Sequence, residues 1–125
     1  MTDLKTMKFE PRDAADLAID PQEYEGLVRQ LPGWEIVSRD GVDRLRRVFT
    51  FGNFQDALAF TNRVGELAEK HDHHPELITE WGRVTVTWWT HAIRGLHLND
   101  FIMAVQTSQL FRTAPVLHLR DKAES

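Results

Sequence analysis

The sequence predicts an α+β two-layer sandwich, one four-stranded antiparallel sheet with three helices on one face, in the order α-β-β-α-β-β-α. Three observations carry the prediction. Two pairs of strand-like runs are each joined by a two-residue turn, a long amphipathic helix separates the pairs, and shorter helical patterns lie before the first pair and after the second. A chain of 125 residues with 42% hydrophobic and 27% charged residues has the size and balance of a single globular domain with one core.

The first helix is announced by Asp20 as a cap, Pro21 at the first helical position and Glu23 at capping-box spacing. Tyr24, Leu27, Val28 and Leu31 supply its buried stripe, and Pro32-Gly33 ends it. Trp34 to Ser38 and Val42 to Phe51 then read as strands joined by Asp40-Gly41, a pair suited to the positive φ angles of a tight hairpin. Leu45, Phe49 and Phe51 share one parity and face the core; Arg47 falls on the same face and must reach its rim or snorkel outward. Asn53 caps the long helix, Asp56 sits in its positive first turn, and Phe54, Ala57, Phe60, Thr61, Val64, Leu67 and Ala68 repeat at helical spacing. Pro75 forces the chain to become extended.

Glu76 to Trp81 and Val84 to His91 form the second pair, with Gly82-Arg83 as a Gly-first turn. Val84, Val86 and Trp88 point one way, and Thr85, Thr87, Trp89 and His91 the other, so each face of the sheet carries a large aromatic. A last helix runs from Leu98 to Leu110 with Phe101, Ile102, Ala104 and Val105 toward the core and Asp100 in its first turn. Residues 1–18 read as a mobile arm or a short edge element, 19–111 as the domain and 112–125 as a tail without pattern.

Lys and Arg number 15 against 19 Asp and Glu, a net charge of -4, so no global basic field attracts a phosphate backbone and direct nucleic-acid binding is disfavoured. The cluster Arg44, Arg46 and Arg47 reads as a solvated face beside Asp40 and Asp43. With no cysteine, disulfides, thiolate metal sites and cysteine nucleophiles are excluded. No apolar run has the length of a signal peptide core or a membrane helix, and a cytoplasmic location is the default expectation.

The chemically loaded stretch is Glu69-Lys70-His71-Asp72-His73-His74-Pro75-Glu76, with three of the six histidines in four residues at a helix-to-strand junction. A metal site of His71, Asp72, His73 and His74 is disfavoured, because neighbouring side chains diverge and no zinc-ligand spacing occurs. A nucleophile triad lacks its serine elbow. Metal-free acid/base chemistry would bring His73 and His74 together with the distant His91, with Asp100 or Glu69 orienting an imidazole. From the residues alone, a structural role for His91 has equal standing with a catalytic one.

The pattern Glu69, three residues, His73-His74-Pro75, five residues, Trp81, nine residues, His91, eight residues, Asp100 resembles the active-site signature of the pterin-4a-carbinolamine dehydratases. The likeness extends from about Leu31 to Leu110, through Pro32-Gly33-Trp34, Phe49-Thr50-Phe51 and Phe60-Thr61-Asn62-Arg63-Val64. Such proteins are hydro-lyases that dehydrate 4a-hydroxytetrahydropterin to quinonoid dihydropterin in tetrahydrobiopterin recycling. The resemblance implies that His73 and His91 are the acid/base pair and that Asp100 holds His91 through a hydrogen bond. It also implies that His74 positions the pterin, with Glu69, Pro75 and Trp81 at the substrate, and that neither metal nor cofactor is needed. His71, His97 and His118 lie where relatives vary and are expected at the surface, with His97 a poor helix cap. The Trp88-Trp89 pair, bulkier than expected there, is a candidate to narrow the pocket or fill an interface. A homodimer or homotetramer is implied, with the pterin as small-molecule partner and no membrane. The rival reading is a non-catalytic binding module of the same fold, a dimerisation cofactor of a transcription factor or an enzyme assembly factor.

Overall fold

The computed structural model describes residues 3–7 and 19–113. Helix α1 (Tyr24–Val28) precedes strands β1 (Glu35–Arg39) and β2 (Val42–Thr50), helix α2 (Phe54–His71), strands β3 (Glu76–Glu80) and β4 (Arg83–Trp88), and helix α3 (Leu98–Thr113). The four strands form one antiparallel sheet in the order β1-β2-β4-β3, as the hairpin pattern predicts. The second hairpin joins the first through β4, so both central strands come from different hairpins.

Local chemistry sets most boundaries. Asp20 caps a 3-10 turn at Pro21–Glu23 by accepting from Gln22 N, and the α-helical part that follows is only five residues long. Asp40 and Gly41 have φ of 55° and 75° and join Arg39 to Val42, the twisted geometry that a two-residue hairpin needs. In the second hairpin Glu80 pairs with Arg83, so the turn residues are Trp81-Gly82 and the expected Gly82-Arg83 turn is one residue out. Gly82 supplies a positive φ of 73° at the second central position, which a type II turn requires. Asn53 caps α2 by accepting from Asp56 N at 2.7 Å.

The core lies between the sheet and the helices. Leu45, Phe49, Val84, Val86 and Trp88 from one sheet face meet Ala57, Phe60, Val64 and Ala68 of α2 and Phe101, Met103, Ala104 and Val105 of α3, joined by Leu27 and Leu31. Phe49 makes ring contacts with Trp34, Phe60 and Phe111. Helix α3 is buried without a break from Asn99 to Val105, more than its predicted stripe. One reason is the amino-terminal segment: Leu4 belongs to the core and its backbone N–H donates to Gln30 Oε1 at 3.0 Å. This part of the expected arm is docked; residues 8–18 and the tail from 114, His118 included, lie outside the described residues.

Arg47 resolves its misplaced parity by snorkelling. Its guanidinium lies over the Phe49 ring at 4.4 Å and donates through Nη1 to Ser108 Oγ at 3.0 Å. Gly33, with φ of 90°, makes room: a Cβ there would stand 2.8 Å from Arg47 Nε.

His97 departs from its expected surface position. It is 4% exposed, and its Nδ1 accepts the backbone N–H of Asn99 at 3.0 Å. Asp100 Oδ2 reciprocates by accepting from His97 N at 3.0 Å, so the two residues form a capping box with imidazole in the usual hydroxyl place. A ring nitrogen is an acceptor only while unprotonated, so the cap works because the ring is neutral. Burial holds the His97 imidazole below its ordinary value, with Asp100 opposing and His73 reinforcing the shift.

Two outcomes follow. Gly33→Ala should lower stability by about 1–3 kcal/mol through strain at positive φ and collision with Arg47, seen as a lower urea midpoint with unchanged slope; an unchanged midpoint would show that the corner is not constrained. For His97 the unfolded chain binds its proton near pH 6.5 while the folded chain resists it. Stability from this group is therefore complete above about pH 6.5 and is lost as pH falls from there through the lower folded value. Urea unfolding at pH 7.5 and 5.5 should show a steeper loss for the wild type than for His97→Asn, which keeps an acceptor but does not titrate; equal losses would contradict the neutral cap.

Candidate active site

The end of α2 decides where the histidines go. Asp72 takes the left-handed conformation with φ of 49°, its N–H bonds Glu69 O at 3.3 Å, and His73 N bonds Ala68 O at 3.1 Å. These are the two bonds of a Schellman motif, with an aspartate in the place glycine usually fills. The reversal separates the cluster. His71 stays on the last turn, half-buried, with its side chain bonded to Gln106 and its imidazole held low, first by burial and then by Lys70. His73 turns inward, and His74 remains exposed with its Nε2 on Glu69 Oε2. Among the described residues no three histidine or carboxylate groups converge as a metal set would.

His73 enters a layered arrangement. Its ring stacks on the fully buried Trp88 indole with centroids 5.6 Å apart and planes 7° from parallel. The indole is fixed by its N–H donating to Thr107 Oγ1 at 3.1 Å. His73 Nε2 donates to Asp100 Oδ1 at 2.6 Å. Asp100 has 0% exposure, and its other oxygen accepts from Thr90 Oγ1 at 2.7 Å and His97 N at 3.0 Å. Thus α2, β4, the segment after β4 and α3 each contribute to holding one imidazole against one carboxylate. The position of Asp100 in the first turn of α3 adds the helix dipole to these three donors.

The expected partnership of Asp100 with His91 is not formed; Asp100 holds His73 instead. The strand ends earlier than predicted, at Trp88, and His91 opens a 3-10 turn at His91–Ile93 in an exposed position. Its ring stacks on Trp89, 4.6 Å between centroids, and Arg44 covers the same indole at 4.0 Å. Side chains alternate through this segment: Trp88 and Thr90 serve the His73–Asp100 pair, and Trp89 and His91 stack on each other.

Of the remaining expected site residues, Pro75 and Glu69 flank His74 at the junction, and Trp81 does not join them. Trp81 is 73% exposed at the far end of β3, about 20 Å along the strand from Pro75 within one chain. Thr90 and His97 are the residues that sequence reasoning missed. Both signals were present, a threonine just before His91 and a histidine three residues before Asp100, the spacing of a capping box.

Comparison with known proteins shows the family to which this ring and buried carboxylate belong. Residues 18–110 match the model of the pterin 4 alpha carbinolamine dehydratase family. A relative from Chlorobium limicola, provisionally named for this dehydratase, is 56% identical over 110 residues, spanning 88% of this chain and 97% of its own. One from Microcystis aeruginosa, named in the same way, is 48% identical over 112 residues, spanning 90% and 97%. The crystal structure of a transcriptional coactivator/pterin dehydratase from Brucella melitensis superposes with a TM-score of 0.66 at 34% identity, covering 74% of this chain and 96% of that one. A pterin dehydratase-like protein described as a RuBisCO assembly factor in the alpha-carboxysome shares the fold alone, with 19% identity, a TM-score of 0.53, and 62% of this chain and 88% of that one covered. By family model, sequence and fold together, the chain belongs to the pterin 4 alpha carbinolamine dehydratase family.

Proposed function

We propose that the protein dehydrates 4a-hydroxytetrahydropterin to quinonoid dihydropterin, in tetrahydrobiopterin recycling, by histidine acid/base catalysis. The observation that carries this reading is His73 held on the buried Asp100 carboxylate. The reaction breaks the C4a–O bond, releases the hydroxyl as water and removes the N5 proton as the C4a–N5 double bond forms. It needs one group to give a proton at the leaving oxygen and one to take a proton from N5, and neither a nucleophile nor a redox group. No cofactor is called for by this chemistry, and the pterin is substrate.

His73 suits the more demanding of the two roles. Its orientation is fixed on one side by Asp100 and on one face by Trp88, so little motion is lost when a proton is transferred. His91 is the second acid/base group, presented at the surface on the Trp89 face. His74, with Glu69 as its partner and Pro75 fixing the adjoining backbone, positions the pterin. Trp81 is too far along β3 to join this group in its own chain; its contribution to pterin binding would come through a second copy in a homodimer or homotetramer. No helix among the described residues is long and apolar enough to cross a membrane.

The rival reading, a binding module of this fold, finds some support in the Brucella melitensis neighbour, described as a transcriptional coactivator as well as a pterin dehydratase. It explains the Asp100 carboxylate as a fastening of the fold but gives no use to the imidazole that the carboxylate orients. Dehydration of 4a-hydroxytetrahydropterin generated in situ should be accelerated by the protein, with or without chelator. His73→Ala should cost about 10²–10⁴-fold, His91→Ala less, because only His73 is anchored by Asp100. A His73→Ala, His91→Ala double variant with the wild-type rate would overturn the catalytic reading, and chelator-sensitive activity would overturn its metal-free form.

A further inference from the structure

A concave site lies away from His73 and Asp100, between the 3-10 turn at Leu4–Thr6, the Leu31-Pro32-Gly33 corner, β2 and the last turns of α3. It is a cavity of about 620 Å³ whose charged and hydroxyl groups are Asp3, Lys5, Arg29, Arg47, Ser108 and Arg112. Four cations against one carboxylate is the reverse of the chain's net charge of -4. The outer groups have partners: Arg29 pairs with Glu25 at 2.7 Å, and Asp3 accepts from Lys5 N at 3.1 Å. Arg47 and Arg112 have no carboxylate partner among the described residues and lie close enough for Arg112 to add to the burial that pulls Arg47 below its ordinary value.

Hydrogen bonding points the same way. Ser108 Oγ accepts from Trp34 Nε1 at 2.8 Å and from Arg47 Nη1 at 3.0 Å, so both lone pairs of the hydroxyl are taken. Its own proton is used by neither bond and remains to donate. The guanidinium is held in advance, stacked over Phe49 and Phe111 at 4.4 and 5.5 Å and seated against the bare backbone of Gly33. Among the described residues the cavity thus presents fixed donors and two guanidinium groups without a carboxylate partner, against the one carboxylate of Asp3. Acceptor-only oxygens with negative charge complete such a set.

We propose that this cavity binds an oxoanion, a phosphate or carboxylate group on a small molecule, through Arg47, Arg112 and the Ser108 hydroxyl. Binding would neutralise the paired guanidinium groups and join the amino-terminal turn to α3, so occupancy stabilises the fold by mass action. Because these residues lie outside the His73 site, the site stands or falls independently of the dehydratase reading.

Thermal unfolding of the full chain tests it, with inorganic phosphate in one arm and citrate in the other, each at ionic strength fixed with chloride. The wild type should show a saturable rise in Tm in at least one arm, and the more effective arm identifies the anion. Arg112→Gln, at an exposed position near the end of α3, should keep the wild-type Tm in chloride and weaken anion binding about tenfold. Arg47→Lys, which keeps the charge and loses the fork, should also weaken it. The rise should persist in His73→Ala. No saturable rise with either anion, or an equal rise in wild type and Arg112→Gln, would overturn the proposal.

Discussion

The Asp100 carboxylate is taken wholly out of water at the first turn of α3, and the site is arranged around the donors that make this tolerable. An unpaired buried charge costs several kcal/mol or more, so each donor is structural as well as local. His97 N ties the carboxylate to the start of its own helix, Thr90 Oγ1 ties it to the segment leaving β4, and His73 Nε2 ties it to the segment leaving α2. One side chain therefore fastens the start of its own helix to segments 10 and 27 residues earlier in the chain. The same bonds that satisfy the charge aim the imidazole.

That fastening depends on how α2 ends and on what lies beneath His73. The left-handed residue Asp72 reverses the chain so that His73 faces inward while His74 stays with Glu69 in solvent. Trp88 fills the space below with a flat indole that fixes the ring plane. The sheet supplies the platform, because Trp88 ends the central strand β4, whose other core residues Val84 and Val86 are sealed under α2 and α3. His97 then links stability to proton balance: its neutral ring is part of the cap that holds Asp100, and burial keeps that ring neutral.

Local signals made the architecture legible. Asp40-Gly41, Asn53, Pro32-Gly33 and the stripe from Ala57 to Ala68 each act within a few residues, and the structure follows them. The Trp81-Gly82 turn slipped by one because a single glycine fits either central position, and only the Glu80–Arg83 pairing across the sheet decides between them. In the site, the spacing singled out His73, His74, His91 and Asp100 as candidates, and the structure joins His73 to Asp100. Spacing did not reveal which histidine Asp100 holds, because that depends on strand β4 stopping at Trp88 and leaving His91 on an exposed turn. His97 looked like a weak surface cap because a histidine in a cap position carries no clear local sign of burial. Its place under the packed start of α3 comes from tertiary contacts alone.

The most direct measurement is the dehydration rate and its pH dependence in Asp100→Asn. The amide keeps the size of the carboxylate, but it removes the charge and puts a donor in place of one of the two oxygens, the one facing His73 or the one facing Thr90 and His97 N. With a native near-UV CD spectrum as control, kcat should fall by about a hundredfold or more, with a changed pH profile. A folded Asp100→Asn protein with the wild-type rate and profile would contradict the account, because the buried carboxylate would then hold His73 for structure and not for chemistry.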